Sequence, residues 1–195
     1  MRSSRLACAA VVLMALVALD STSLGLIGET GVTKFGSRIK EEEVYAAQKG
    51  WGDALVQIAT TYDELGYDAA KALAEEVIDA AYGYNYGPVL FKPTMSSGDQ
   101  VYRITKEGAL SYFAGRNSNY PRDGGFALKG WRKVVIENSA VFIQGDIAVA
   151  TGNFICTDKN GVVTTLDKTM VFYKGKDRKL RIMAHHSSLP YVPGK

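Results

Sequence analysis

Transition-metal ligands are scarce in this 195-residue chain: it has two histidines and two cysteines. A catalytic zinc site usually draws three protein ligands, mostly His, and no H-x-H, H-E-x-x-H or C-x-x-C spacing occurs. The two histidines, His185 and His186, are adjacent in "RIMAHHSSLPY", which reads as a strand. Neighbouring side chains on a strand point to opposite faces, so the two rings do not reach one metal. Asp or Glu would have to supply the remaining ligands, and a built-in metal site is not expected. The chain also lacks the G-x-x-x-x-G-K-[ST] phosphate loop and a strand-linked G-x-G-x-x-G, which leaves nucleotide cofactors without support. Without a G-x-S-x-G elbow, a serine hydrolase has little to stand on. Excess charge is missing too. The formal charge is +3 with no polybasic cluster, so neither nucleic acid nor a membrane surface is an expected partner.

Long apolar runs are absent except at the start. "MRSSRLACAAVVLMALVAL" has Arg2 and Arg5 ahead of an apolar stretch from Leu6 to Leu19. That is the pattern of a secretory signal peptide, and the run is short for a bilayer span, which takes about 20 residues. Residues 1–25 are therefore expected to be a leader, with small residues at Ser23 and Gly25 for cleavage and an uncleaved anchor as the alternative. The mature protein is then exported, to a periplasm, the exterior or an organelle lumen. Cys8 leaves with the leader. Cys156 alone cannot form an intramolecular disulfide and is expected to be a small core residue on a strand.

What is present is periodicity. After a Gly-rich stretch over 26–40, read as a flexible linker, Trp51, Leu55, Ile58, Tyr62 and Leu65 mark one apolar helix face. Gly66 ends that helix, and Asp68 is the expected N-cap of a second one. Its apolar face is Ala70, Leu73, Ala74, Val77, Ile78 and Ala81, and Gly83 is the expected stop. "VLFKPT" is a short extended piece, and "TKEGALSYFAG" is a third helix capped by Thr105. From Trp131 onward the chain turns β-branched and aromatic in four runs, joined at Gly145-Asp146, Asn160-Gly161 and "GKDR". The expectation is an α+β domain over 41–195, with N-terminal helices covering one face of a four-stranded antiparallel meander. On the last strand, period two puts His185 and Ser187 on one face and His186 and Ser188 on the other.

Three segments carry a resemblance. "YGPVLFKPTMSSGDQVYRITKEGALSYFAG", "FALKGW" and the terminal "HHSSLPY" resemble the iota-class carbonic anhydrases over about residues 45–192. The resemblance implies an NTF2-like (cystatin-like) cone of helices on a curved antiparallel sheet, and reversible hydration of carbon dioxide to bicarbonate. It also implies a pocket lined by Thr94 of K-P-T, Tyr112 of S-Y-F and Ser187 of the terminal motif, with His185 beside Ser187. Zinc or manganese dependence is described for some members of that family and metal-free catalysis for others. The ligand shortage here favours the metal-free form, with no cofactor. Hydroxyls can donate and accept as the reaction proceeds, so Thr94, Tyr112 and Ser187 are expected to hold water and the carbonate oxygens. His185, with an ordinary pKa near 6.5, is the expected carrier of the proton to solvent.

Two other readings share the fold. One is a lyase or isomerase acting on a larger organic molecule through a buried carboxylate base, for which Asp99 and Asp167 are the candidates. The other is a non-catalytic assembly or ligand-binding module, since the fold hosts many functions. The fold, rather than any motif, suggests a homodimer.

Overall fold

The computed structural model describes residues 38–194; the expected leader, Cys8 within it and residues 26–37 of the expected linker lie outside the described residues. The three linker residues that are described are tied down. Ile39 is buried, and Arg38 donates its N–H to Gly145 O and accepts from Lys174 Nζ.

Two helices come first, α1 (Glu41–Leu65) and α2 (Tyr67–Ala81). The face of α1 expected from its spacing packs inward through Trp51, Leu55 and Ile58, while Leu65, at the last turn, is exposed. Gly66, at φ 85°, is the single residue between the helices, and its left-handed backbone turns the chain. Asp68 is therefore not the N-cap: the helix has already started at Tyr67, and Asp68 sits in the first turn, where a negative charge suits the helix dipole. Nor does α2 run to Gly83. Tyr82 is already extended, buried and bridged to Ile182.

The short extended piece is a strand, β1 (Leu90–Lys92), followed by α3 (Lys106–Ala114). Thr105 caps α3 as expected, accepting from Gly108 N, a contact worth about 1 kcal/mol. A 3₁₀ turn at Phe126–Leu128 leads into four long strands, β2 (Trp131–Gln144), β3 (Ile147–Asp158), β4 (Val163–Lys174) and β5 (Leu180–Ser188). Their turns fall where Gly145-Asp146, Asn160-Gly161 and "GKDR" placed them.

The sheet differs from the expected meander in one respect. It has five strands in the order β1-β5-β4-β3-β2, because β1 adds to the edge parallel to β5. Three residues are too few to show a period, and parallel pairing across so long a separation leaves no local pattern.

The helices cover one face, and the core lies between. Facing it are Ala148, Ala150, Phe154 and Cys156 of β3, Leu166, Lys168, Met170 and Phe172 of β4, and Ile182, His185 and Ser187 of β5. An irregularity on β5 decides which of its side chains turn inward. Val171 pairs with Ala184 and Phe172 with Ile182, so Met183 is skipped and both Ile182 and His185 face the core. Cys156 is fully buried there, as expected.

Candidate active site

The parallel pairing of β1 with β5 sets Phe91 opposite His185 and Lys92 opposite His186. Pro93 cannot donate a ladder hydrogen bond, so β1 stops and the chain turns. Thr94 then faces the end of β5, with its Oγ1 2.6 Å from Ser187 Oγ. Helix α3 delivers the third hydroxyl. Tyr112 Oη accepts from Met95 N, the residue after Thr94, at 3.4 Å. Thr94, Tyr112 and Ser187 thus meet as one buried cluster from a loop, a helix and a strand, at exposures of 9%, 5% and 1%.

Aromatic rings wall the cluster. Phe91 stands edge-on to Tyr112 at 5.7 Å between centroids, and Phe126 stacks on Tyr112 at 5.3 Å. Burial pushes the Tyr112 phenol well above its usual range, so it remains a hydrogen-bond donor. In the Thr94–Ser187 contact one hydroxyl donates to the other, and the acceptor of that bond keeps its own O–H free for a third group.

His185 lies on the face of Ser187, as the alternation required, and is enclosed in the core. It is 1% exposed, stacked on Phe91 at 4.9 Å and set against Trp51 at 5.6 Å. Its Nδ1 contacts Tyr82 Oη at 2.9 Å and its Nε2 contacts Lys168 Nζ at 2.8 Å. Burial, the largest cause, drives its pKa well below the ordinary value. With both ring nitrogens engaged and the ring buried, His185 has no direct opening to solvent, so the expected role as carrier of the proton to solvent finds no support in this geometry. His186 is exposed on the other face.

Lys168 was missed by sequence reasoning, although a signal was there. Leu166, Lys168, Met170 and Phe172 alternate along β4, which places a lysine on the apolar face. It is 4% exposed, with Nζ 4.4 Å from the Trp51 ring centroid, and burial lowers its pKa to about 7. Asp123 was missed as well. Its carboxylate is buried, accepting from Arg103 at 2.8 Å and from Ser111 at 2.7 Å, one residue before Tyr112.

The two carboxylates considered as bases do not join the cluster. Asp99 is exposed, and Asp167 faces the opposite side of the sheet, where Asn153 donates to it at 2.8 Å. Among the described residues, no three His, Cys, Asp or Glu side chains are grouped to hold a metal ion. Two surface concavities lie on that opposite side, a polar one around Asp167, His186 and Ser188 and an apolar one around Leu90, Tyr102 and Ile104. Neither contains the hydroxyl cluster.

Comparison with known proteins bears on what the chain does. Residues 42–189 match the family model described as metal-independent carbonic anhydrase. A curated metal-independent carbonic anhydrase from Nostoc sp. is 50% identical, covering 93% of this chain and 95% of its own length. A solved structure, an iota-carbonic anhydrase from a cyanobacterium complexed with bicarbonate, superposes with a TM-score of 0.79 at 57% identity over 83% of this chain and 99% of that one. A protein of the NTF2-like family from Streptomyces avermitilis gives 0.45 at 15% identity over 77% and 96%.

Proposed function

The chain belongs to the metal-independent carbonic anhydrases, and on that premise we propose that Thr94, Tyr112 and Ser187 form the site at which it hydrates carbon dioxide. Its activity is the reversible conversion of carbon dioxide and water to bicarbonate and a proton, in an NTF2-like α+β domain, without a metal cofactor.

The observation that carries the site assignment is the convergence of three hydroxyls inside an aromatic shell, with Thr94 and Ser187 in direct contact at 2.6 Å. Carbon dioxide is apolar and suits the rings of Phe91 and Phe126. As the water oxygen bonds to carbon, negative charge grows on the carbon dioxide oxygens, and fixed donors stabilise that charge. Tyr112, held protonated by burial, donates one such bond. The free O–H of the Thr94–Ser187 pair donates another, and a lone pair of the cluster accepts from the attacking water. As the C–O bond forms, the water O–H breaks and its proton passes along the hydroxyls to a carbon dioxide oxygen, giving carbonic acid that ionises to bicarbonate on release to solvent. One donor of this kind is typically worth about 10²–10³ in rate.

Two finer readings go with it. The protein is exported, as the leader pattern over 1–25 suggests. It works as a homodimer joined through the uncovered face of the sheet, where Phe142, Ile147 and Val163 are exposed; light scattering on the mature protein tests this. The function itself is tested by stopped-flow carbon dioxide hydration with a pH dye. Activity is expected to survive a strong chelator and to gain nothing from added zinc or manganese. Activity lost on chelation and restored by either metal would overturn the metal-free hydroxyl mechanism.

A further inference from the structure

Three cationic side chains are buried among the described residues: Arg103, Lys168 and Lys174. Arg103 has Asp123 at 2.8 Å and Lys174 has Glu43 at 2.6 Å. Lys168 forms no ion pair among the described residues; its polar contact is His185 Nε2 at 2.8 Å, with the Trp51 and Phe154 rings at 4.4 and 5.2 Å. A buried amine without a carboxylate tends to give up its proton.

The donors and acceptors along these contacts constrain the proton on Lys168. Trp51 Nε1 can only donate, so at 3.0 Å it makes Tyr82 Oη an acceptor. Tyr82 keeps its own phenolic proton, because burial pushes its ionisation far upward. At 1% exposure, the acceptor in reach of that proton is His185 Nδ1 at 2.9 Å. Nδ1 then accepts, and the neutral ring carries its hydrogen on Nε2, pointing at Lys168. Only an unprotonated amine has a lone pair to receive it. The reverse arrangement, with Lys168 as an ammonium and the ring proton on Nδ1, leaves the Tyr82 hydrogen buried without an acceptor, which folded proteins rarely tolerate.

We propose that Lys168 is a positioning residue for the hydration reaction: a neutral amine that accepts the Nε2 proton of His185 and so keeps the chain Trp51–Tyr82–His185–Lys168 pointing one way beside Ser187. This rests on the reading that the hydroxyl cluster is the reaction site. Lys168 and Ser187 are register partners on β4 and β5, both on the core face, and His185 precedes Ser187 by two residues. The same ring of Tyr82 packs on Phe91 at 5.7 Å and Phe113 at 6.2 Å, so the direction of the chain bears on the aromatic wall of the site.

Protonating Lys168 reverses the chain, moving the ring hydrogen to Nδ1 and stranding the Tyr82 hydroxyl. Facing Lys168 are His185 from β5, the Cys156 thiol and Phe154 from β3 and Trp51 from α1. Burial holds Cys156 uncharged, pushed up to about 11, and Asp167, next along β4, is turned to the opposite side. No negative charge among these groups holds the amine protonated.

With two histidines in the chain, imidazole ¹⁵N spectra of the full protein give two ring patterns, separated by His186→Gln. At about pH 8.5, above the ordinary histidine range, His185 is expected as the neutral Nε2–H tautomer. An Nδ1–H tautomer or an imidazolium there overturns the proposal. In hydration assays the wild type is expected to lose kcat as pH falls through about 7, and Lys168→Met to lack that limb while KM changes little. An identical acid limb in both proteins also overturns it, since a purely structural role would lower kcat evenly across pH. A wrong tautomer leaves the activity reading intact, whereas a wild type that does not hydrate carbon dioxide at any pH brings down both.

Discussion

Replacing Lys168 by Met puts a chain of similar length and no charge among the same rings, and the sign of its effect on stability depends on pH. In the unfolded chain the amine holds its proton up to the ordinary value of 10.5, and in the fold burial brings that value down to about 7. Between those limits folding expels a proton. The unfolded state binds more protons there, so native stability rises with pH by about 1.4 kcal/mol per unit. At pH 7 and below, the whole displacement weighs against the native state by roughly 5 kcal/mol, and above about 10.5 it is gone. Met carries none of this. It does strand His185 Nε2–H, which costs about 1–3 kcal/mol at every pH in the window.

The variant is therefore expected to be more stable than wild type by about 2–4 kcal/mol near pH 7, with the advantage shrinking to nothing near pH 9 and then reversing. Urea unfolding followed by circular dichroism at three or four pH values measures both curves. A gap between the two proteins that does not change with pH would refute the reasoning, because it would mean that Lys168 takes the same protonation state folded and unfolded. A gap that widens in favour of Met as pH rises would refute it too.

Tyr112→Phe is expected to slow hydration by about 10²–10³-fold while unfolding within about 1 kcal/mol of wild type, since the ring still stacks on Phe126; stopped-flow rates beside urea melts check both. Thr94→Val and Ser187→Ala are expected to be non-additive in activity, the double variant losing about as much as either single one, because the two hydroxyls share one hydrogen bond. Additive losses in a double-mutant cycle would mean that the two act separately. Gly152→Ala is expected to destabilise the fold by about 2 kcal/mol or more, because a Cβ there would lie 2.1 Å from Glu137 O, at the irregularity where β2 pairs with β3; a thermal melt reads it directly.

Local patterns made much of this fold readable, and long-range pairing hid the rest. The faces of α1 and α2, the Thr105 cap and the three hairpin turns all follow from spacing or from turn chemistry within a few residues. Cys156 was read as core from its strand. The N-cap of α2 was misplaced because Gly66 does by backbone conformation what Asp68 was expected to do by side chain. β1 was read as extended but not as a sheet member, since its three residues gain their partner only when β5 arrives about ninety positions later. Lys168 was legible and overlooked. His185 was legible as facing inward with Ser187, but its enclosure by Trp51, Tyr82, Phe91 and Lys168 comes from four different elements or loops, and no single segment announces it.

The same long-range pairing brings together the three hydroxyls proposed as the reaction site. Thr94, Tyr112 and Ser187 come from a loop, a helix and a strand, and contacts other than those of the three hydroxyls tie these segments together. Lys92 Nζ donates to Ser187 O at 2.8 Å and ties the end of β5 to β1. Arg103 N donates to Phe91 O at 2.7 Å, and Tyr84 Oη donates to Arg103 O at 3.0 Å, which brings the segment before α3 against β1. Ser111 then anchors the turn of α3 that carries Tyr112 to the buried Asp123–Arg103 pair. Donors held this way need little reorganisation when charge develops on a bound oxygen, and that preorganisation is what a metal would otherwise contribute through its charge. Loosening any of these ties should therefore slow the reaction without removing a hydroxyl, and Lys92→Met, which leaves all three in place, isolates that effect from the chemistry of the hydroxyls themselves.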